Sequence, residues 1–90
     1  MNNHILVPVI SSVHVRDSFF TRVRHMGDRI CAAVVHGHDD VFVYVEEHAD
    51  KLVAELQEIY DWARENNYEW VRINADGEII DCLPLHKPGD

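Results

Sequence analysis

The stretch that decides the fold is ICAAVVHGHDDVFVYV, residues 30–45. Two apolar segments rich in β-branched residues, 30–35 and 41–45, flank a polar segment with one glycine and two aspartates, a composition typical of a hairpin turn. If His36 pairs with Val41, side-chain alternation makes both faces of this hairpin apolar. Two apolar faces predict a hairpin at the centre of a sheet, with other parts of the molecule covering each side.

A strand and a helix are predicted on the N-terminal side of the hairpin. The compact apolar run 5–10 predicts a strand, and Pro8 favours an edge or bulged position because proline cannot donate a ladder hydrogen bond. Asp17 is a suitable N-cap for a short helix that reaches Met26, and Gly27 is suited to ending that helix.

The second helix has the strongest pattern in the sequence. Apolar and acidic residues recur on its opposite sides at helical spacing. The apolar stripe comprises Leu52, Val53, Leu56, Ile59, Tyr60 and Ala63. The predicted water-facing side carries Glu55, Glu58, Asp61 and Glu65.

A closing hairpin is predicted near the C-terminal end. Residues 70–73 and 78–81 flank Asp76 and Gly77, a pair that favours a tight turn, and the tail 84–90 is predicted to be irregular. The sequence therefore predicts an α+β fold with the order β-α-β-β-α-β-β, in which two helices pack on one face of a mostly antiparallel sheet.

Length and charge narrow the class of protein. Ninety residues close one hydrophobic core, so residues 1–90 are expected to form a single domain. Sixteen acidic residues against eight basic ones give a net charge of −8, which repels phosphate backbones and argues against direct nucleic-acid binding. No apolar run approaches the about 20 residues that span a bilayer, so no membrane segment is expected.

Cysteine usage predicts a location. Cys31 and Cys82 stand in apolar contexts without CxxC spacing, which favours buried free thiols over a disulfide or a zinc site. Free thiols fit a reducing compartment, so the chain is expected to be cytoplasmic.

Chemistry-bearing motifs are sparse. The serines lie outside any GxSxG context, and Cys31 is expected in mid-strand, where an accessible thiolate is disfavoured. The most metal-like string contains His36, His38 and Asp39, because alternating histidines on extended backbone point the same way. The same string suits the polar tip of a hairpin, and it does not supply a complete ligand set. We therefore expect a protein that is not an enzyme, with no catalytic residue, no bound metal and no cofactor.

Two protein-binding surfaces are predicted instead, and the first is aromatic. Alternation places Trp70 and Arg72 on the side of their strand that faces away from its branched aliphatic residues. If Phe42 and Tyr44 share that side, the four side chains form an aromatic surface of the kind that anchors protein interfaces.

The second predicted surface is electrostatic. Arg16, Arg22 and Arg24, with His25, form a basic patch around the first helix, and this patch is complementary to the acidic side of the second helix. Contact between the basic patch of one copy and the acidic helix of another is compatible with a homodimer, while solubility is the alternative explanation for these charges. The expected partner is therefore a protein, with a homodimer as the first choice.

Several short motifs resemble those of a known family. They are Ile10-Ser11-Ser12-Val13-His14-Val15, Val41-Phe42-Val43-Tyr44-Val45, Ala63-Arg64-Glu65, Trp70-Val71-Arg72, Asp76-Gly77 and Ile80-Asp81-Cys82-Leu83-Pro84. In this order they resemble an uncharacterised family of small domains, a domain of unknown function carried on bacterial plasmids, phages and integrative elements. The resemblance implies a mobile-element setting and supplies no active site. Where the family usually has a glycine in the closing motif, this sequence has Cys82.

Three functional hypotheses follow. The first is a non-enzymatic accessory protein that binds another protein, or itself, through the aromatic surface and the charged helices. The second is an inhibitor of a host defence complex, anti-CRISPR or anti-restriction, in which the acids of the second helix imitate nucleic acid. The third is a metal-dependent enzyme centred on His36, His38 and Asp39.

Overall fold

The computed structural model describes residues 7–27, 32–34 and 39–86, with residues 32–34 described by their backbone alone. The helices are α1, Phe19–Met26, and α2, Leu56–Glu65. Each helix is preceded by a short 3-10 turn, Ser12–His14 before α1 and Lys51–Val53 before α2. The strands are β1, Val9–Ser11, β2, Ala32–Val34, β3, Asp40–Tyr44, and β4, Trp70–Asn74.

The four strands form one mixed sheet in the order β1-β4-β3-β2. The pairs β2–β3 and β3–β4 are antiparallel, whereas β1 runs parallel to β4. The predicted α+β fold with a mostly antiparallel sheet is confirmed. Among the described strands, β3 is internal and β2 ends the order, so the predicted hairpin does not lie wholly at the centre of the sheet.

The hydrophobic core lies on one face of this sheet. Alternate residues of β3 and β4 are fully buried on that face, namely Val41, Val43, Val71 and Ile73. They form one cluster with buried residues of both helices, including Phe19, Phe20, Val23, Leu56, Ile59 and Ala63. Because both helices join the same cluster, both pack on the same face of the sheet, as the apolar periodicity predicts.

The hairpin register differs from the prediction by two residues. Val34 lies opposite Val41, where the sequence pattern predicts His36, a residue outside the described part of the chain. A shift of two residues leaves every side chain on its original face because the side-chain period of a strand is two. The prediction of which β3 residues share a face is therefore correct although the predicted register is wrong.

The predicted strand at 78–81 is wrong. Both edges of β4 are already occupied, by β1 on one side and β3 on the other, so β4 has no edge free for a closing hairpin. Instead, Glu78 forms a single parallel bridge with Ile10. The amide of Ser11 donates to the Glu78 carbonyl at 2.8 Å, and the Glu78 amide donates to the Val9 carbonyl at 2.9 Å.

Gly77 makes this path possible. A Cβ atom at this position would lie 2.2 Å from the carbonyl carbon and oxygen of Ile10 and 2.7 Å from the amide nitrogen of Ser11. These neighbours are backbone atoms of a paired strand, so they cannot move aside cheaply. Position 77 therefore accepts only glycine without a shift of β1 or of the turn.

A buried histidine anchors the segment that follows. Nε2 of His14 accepts a hydrogen bond from the Ile80 amide at 2.9 Å, so Nδ1 carries the proton and donates to the Pro84 carbonyl, also at 2.9 Å. The side chain of Leu83, between these two contacts, is buried in the core. Both ring nitrogens of His14 are therefore hydrogen-bonded to backbone groups of one segment. Neither nitrogen is left to bind a ligand or to act as a base.

Gly77→Ala is expected to lower the free energy of unfolding by about 2–3 kcal/mol, because the added methyl group overlaps the backbone of β1. Asp76→Ala is the control: it removes an exposed side chain from the same turn, so it should change the free energy of unfolding by less than about 0.5 kcal/mol. Urea unfolding of the two variants measures the difference. Equal stabilities for the two variants would contradict the close approach at Gly77.

Candidate functional site

The face of the sheet opposite the core carries a continuous set of large side chains. In the register of β3 and β4, Phe42 lies opposite Arg72 and Tyr44 lies opposite Trp70. These residues alternate with the buried valines and isoleucine of the same strands, so they point away from the helices. We call the surface formed by Phe42, Tyr44, Trp70 and Arg72 the aromatic sheet face.

The four side chains of the aromatic sheet face contact one another in cross-strand pairs. The rings of Tyr44 and Trp70 are 5.2 Å apart between centroids and meet edge to face at 71°. The guanidinium carbon of Arg72 lies 5.0 Å from the centroid of the Phe42 ring. Both arrangements are favourable for an aromatic pair and for a cation over a ring, and they hold the side chains in defined positions.

Asp40 completes the site. Nε and Nη2 of Arg72 donate to the two carboxylate oxygens of Asp40 at 2.9 and 2.5 Å, and the amide of Asn74 donates to the same carboxylate at 3.4 Å. The hydrogen bonds from Asp40 raise the pKa of Arg72 above its ordinary value. The guanidinium is therefore fixed from one side by a bidentate carboxylate and from below by the Phe42 ring.

Sequence reasoning assigned Asp40 to the turn and missed its place in the site. The signal was available in the alternation itself, since residues 40, 42 and 44 share one side of an extended strand. Asp40 is the first residue of β3 and lies diagonally across from Arg72 on β4. A strand that begins one residue earlier is enough to move this carboxylate from the loop to the sheet.

The aromatic sheet face is open to solvent. Tyr44 is 41% exposed, and Val9, which lies opposite Arg72 on β1, is 38% exposed. Phe42, Trp70 and Arg72 are half-buried. Within the described part of the chain both helices belong to the other face, so no described helix covers this side of the hairpin.

The predicted acidic side of α2 is not one surface. Glu55 is 3% exposed at its side chain and accepts two hydrogen bonds from Arg22, at 2.8 and 2.5 Å, and a third from the Arg16 amide at 3.1 Å. The prediction that Glu55 faces water is wrong because Arg22 of α1 and the Arg16 amide cover its carboxylate, although Glu55, at the N-cap of α2, has helical backbone angles.

The remaining acids of α2 differ among themselves. Asp61 pairs with Arg64 one turn along the helix and accepts from the Gln57 amide at 3.1 Å. Glu58 and Glu65 are exposed. Because two of the four carboxylates have cationic partners in the same chain, the four do not form one array of unpaired charge.

Part of the charge that was predicted to join two copies forms an ion pair within one chain, between Arg22 and Glu55. Arg22 of α1 reaches Glu55 and the carbonyl of Leu52, while Nε of Arg22 donates to Ser18. These bonds join α1 to the segment that leads into α2. Arg22 and Glu55 thus neutralise each other in an ion pair that links α1 to the start of α2.

Burial and hydrogen bonding act in opposite directions on Glu55. Burial raises the pKa of its carboxyl group, but the hydrogen bonds from Arg22 and from the Arg16 amide lower it by more, so the net pKa lies below the ordinary value. A lowered folded-state pKa stabilises the fold at any pH above the unfolded value of about 4.3. That stabilisation is lost as the pH falls through the folded-state pKa.

Glu55→Gln is expected to lower the free energy of unfolding at pH 7 by about 2–4 kcal/mol, because it leaves Arg22 without its carboxylate in a largely buried position. It should also flatten the loss of stability below pH 4.3. Asp61→Asn, which removes an exposed ion pair, is the control and should change stability by less than about 1 kcal/mol. Denaturant unfolding between pH 3 and 7 measures both effects. If Glu55→Gln loses as much stability below pH 4.3 as the wild type does, Glu55 is not the source of the acid-dependent stability.

The predicted metal-binding string is only partly visible. His36 and His38 lie outside the described residues, and Asp39 is exposed and pairs with Arg24 at 3.0 Å. Among the side chains that the structure describes, no group of three or more potential metal ligands comes together.

Cys82 departs from its predicted environment. Its thiol is free and exposed, whereas a buried position was expected; Cys31 lies outside the described residues. Cys82 falls in a turn immediately before the buried Leu83, so the core anchor of this segment is the leucine.

No helix in the described ranges has both the length and the apolar content that a transmembrane span requires.

Fold and site together define a small α+β domain with a helical layer on one face of its sheet and an aromatic, solvent-exposed surface on the other. The chain belongs to the family of unknown function DUF5983: residues 7–88 match the C-terminal domain of that family. This confirms the predicted resemblance to a family of unknown function. No curated protein matches the chain significantly, and no solved structure does so.

Proposed function

We propose that this domain is a non-enzymatic protein-binding module that associates with a second copy of itself through the aromatic sheet face. The observation that carries the proposal is the contiguous, open set of Phe42, Tyr44, Trp70 and Arg72 on a face that no described helix covers. Tyrosine, tryptophan and arginine are the residues that most often contribute the main binding energy of protein interfaces.

The side chains of this face are already ordered before any partner arrives. The Tyr44–Trp70 pair and the fixed guanidinium of Arg72 leave few rotamers to be lost on association. Ordering a flexible side chain at an interface costs roughly 0.5–1.5 kcal/mol, so a prearranged surface retains more of its binding energy. This supports a docking role for the face.

Charge favours a second copy as the occupant. The chain carries a net charge of −8, so two copies repel each other over most of their surfaces. On the aromatic sheet face, the carboxylate of Asp40 is matched by the guanidinium of Arg72, which removes this repulsion locally. A symmetric dimer brings the same patch of each copy together, so the patch must be compatible with itself, and a charge-balanced aromatic patch meets that condition.

The motifs that resemble a family of mobile-element domains support an accessory role on a plasmid, phage or integrative element. A role without catalysis is supported by the way the ionisable side chains are used. Arg22, Glu55, Asp40, Arg72 and His14 all hold structural hydrogen bonds. The acidic-mimic hypothesis has less support than self-association, because Glu55 and Asp61 are ion-paired within the chain.

Replacing Tyr44 and Trp70 together by alanine is expected to weaken self-association at least about tenfold, because two anchors of the interface are removed. Sedimentation equilibrium over a concentration series measures the dissociation constant. The matched control is Leu52→Ala with Trp62→Ala, which also removes one exposed apolar residue and one half-buried indole, but from the helical side. A wild-type chain that stays monomeric at every concentration, or a control that weakens the dimer equally, would contradict the proposal.

A further inference from the structure

The ion pair between Asp40 and Arg72 does more than neutralise the aromatic sheet face. We infer that this pair fixes the relative orientation of the two copies and excludes chains that lack the matching pattern of charge. The inference rests on the proposed self-association through this face, and it identifies Arg72 and Asp40 as the residues that determine specificity.

The geometry of the pair gives it a direction on the surface. Asp40 begins β3 and Arg72 lies in the middle of β4, so the vector from carboxylate to guanidinium runs diagonally across two strands. Arg72 uses Nε and Nη2 to bind Asp40. Its Nη1 has no hydrogen-bond partner among the described residues, and the Arg72 side chain is 36% exposed. The guanidinium is therefore held in place while one of its edges remains available.

Two-fold symmetry limits how two such pairs can meet. When two faces are stacked with a two-fold axis perpendicular to the Asp40–Arg72 direction, the two pairs run antiparallel, and each guanidinium faces the carboxylate of the other copy. When the axis runs along that direction, like charges face each other. Coulomb interactions strengthen as water leaves the interface, so the antiparallel arrangement is selected.

The Asp40 side chain is only 11% exposed, so a second copy has little direct contact with its carboxylate. Its effect on a second copy is that of a nearby charge in a partly desolvated contact. Charges of this kind contribute more to choosing the correct partner and orientation than to raw affinity. The aromatic side chains are expected to supply most of the affinity and the ion pair most of the selectivity.

A charge-swapped chain tests the inference directly. Asp40→Arg combined with Arg72→Asp keeps an ion pair within each chain but reverses its direction. Swapped chains should pair with swapped chains and wild type with wild type. In a mixed dimer, by contrast, aspartate faces aspartate and arginine faces arginine, so mixed dimers should form at least about tenfold more weakly. Native mass spectrometry of a mixture of the two chains, one of them isotope-labelled, measures the three dimers.

Two charge-neutralising variants keep the test valid if the swapped chain does not fold. Asp40→Asn removes one charge with almost no change in shape, and Arg72→Gln removes one charge with a shorter side chain. Each alone should dimerise more weakly than wild type. When the two variants are mixed, the remaining Arg72 of one chain faces the remaining Asp40 of the other, so the mixed dimer should exceed its statistical share.

The outcomes separate this inference from the proposed function. Wild-type chains that never dimerise would remove the proposed function, and the inference with it. Two results together would leave the interface in place and overturn the role of the ion pair. They are dimers that exchange freely between wild-type and swapped chains, and a purely statistical mixture of the two charge-neutralising variants. Preferential pairing in both mixtures would establish that role.

Discussion

The structure depends on strict side-chain alternation along β3 and β4 combined with a helical layer on one side alone. Val41, Val43, Val71 and Ile73 form the floor of the core, and both helices pack on it. Since every second residue of a strand points the other way, burying these four forces their neighbours to the open face. The residues that alternate with the buried four include Phe42, Tyr44 and Trp70, so burying the core residues places these aromatic side chains on the opposite face of the sheet.

The distribution of charge follows a similar division between inside and outside. The helical layer uses Arg22 and Glu55 as a largely buried ion pair that joins α1 to the start of α2. The sheet layer uses Arg72 and Asp40 in the same way across β3 and β4. The charges that give the chain its net acidity are therefore mostly those that remain on the surface, such as Glu58 and Glu65. A high net charge and a locally neutral face coexist because four of the described cations are paired with carboxylates of the same chain, namely Arg22, Arg24, Arg64 and Arg72.

The sequence was sufficient for the features that depend on periodicity. The second helix and the two faces of β3 follow from the spacing of apolar residues, and the faces survived a register error because that error was two residues. Periodicity failed at two positions. Arg22 of the other helix covers Glu55, and Gly77 turns the chain along β1 because both edges of β4 are occupied. Those outcomes are set by contacts distant in sequence, which local patterns do not contain.

The same reasoning explains why the site was found only in part. Phe42, Tyr44, Trp70 and Arg72 were predicted together because alternation alone places them on one face, whereas Asp40 was missed because it lies at the boundary between turn and strand. Yet Asp40 neutralises Arg72 on this face, and the line from its carboxylate to the guanidinium sets the direction of the ion pair across the two strands. An unpaired exposed arginine among aromatic rings would suit many acidic partners, whereas a guanidinium paired with its own carboxylate presents a positive and a negative charge side by side, which suits a surface that carries a matching pair. The local pairing of Arg72 thus narrows the suitable partners towards surfaces that are also charge-balanced, and a second copy of the chain is one such surface.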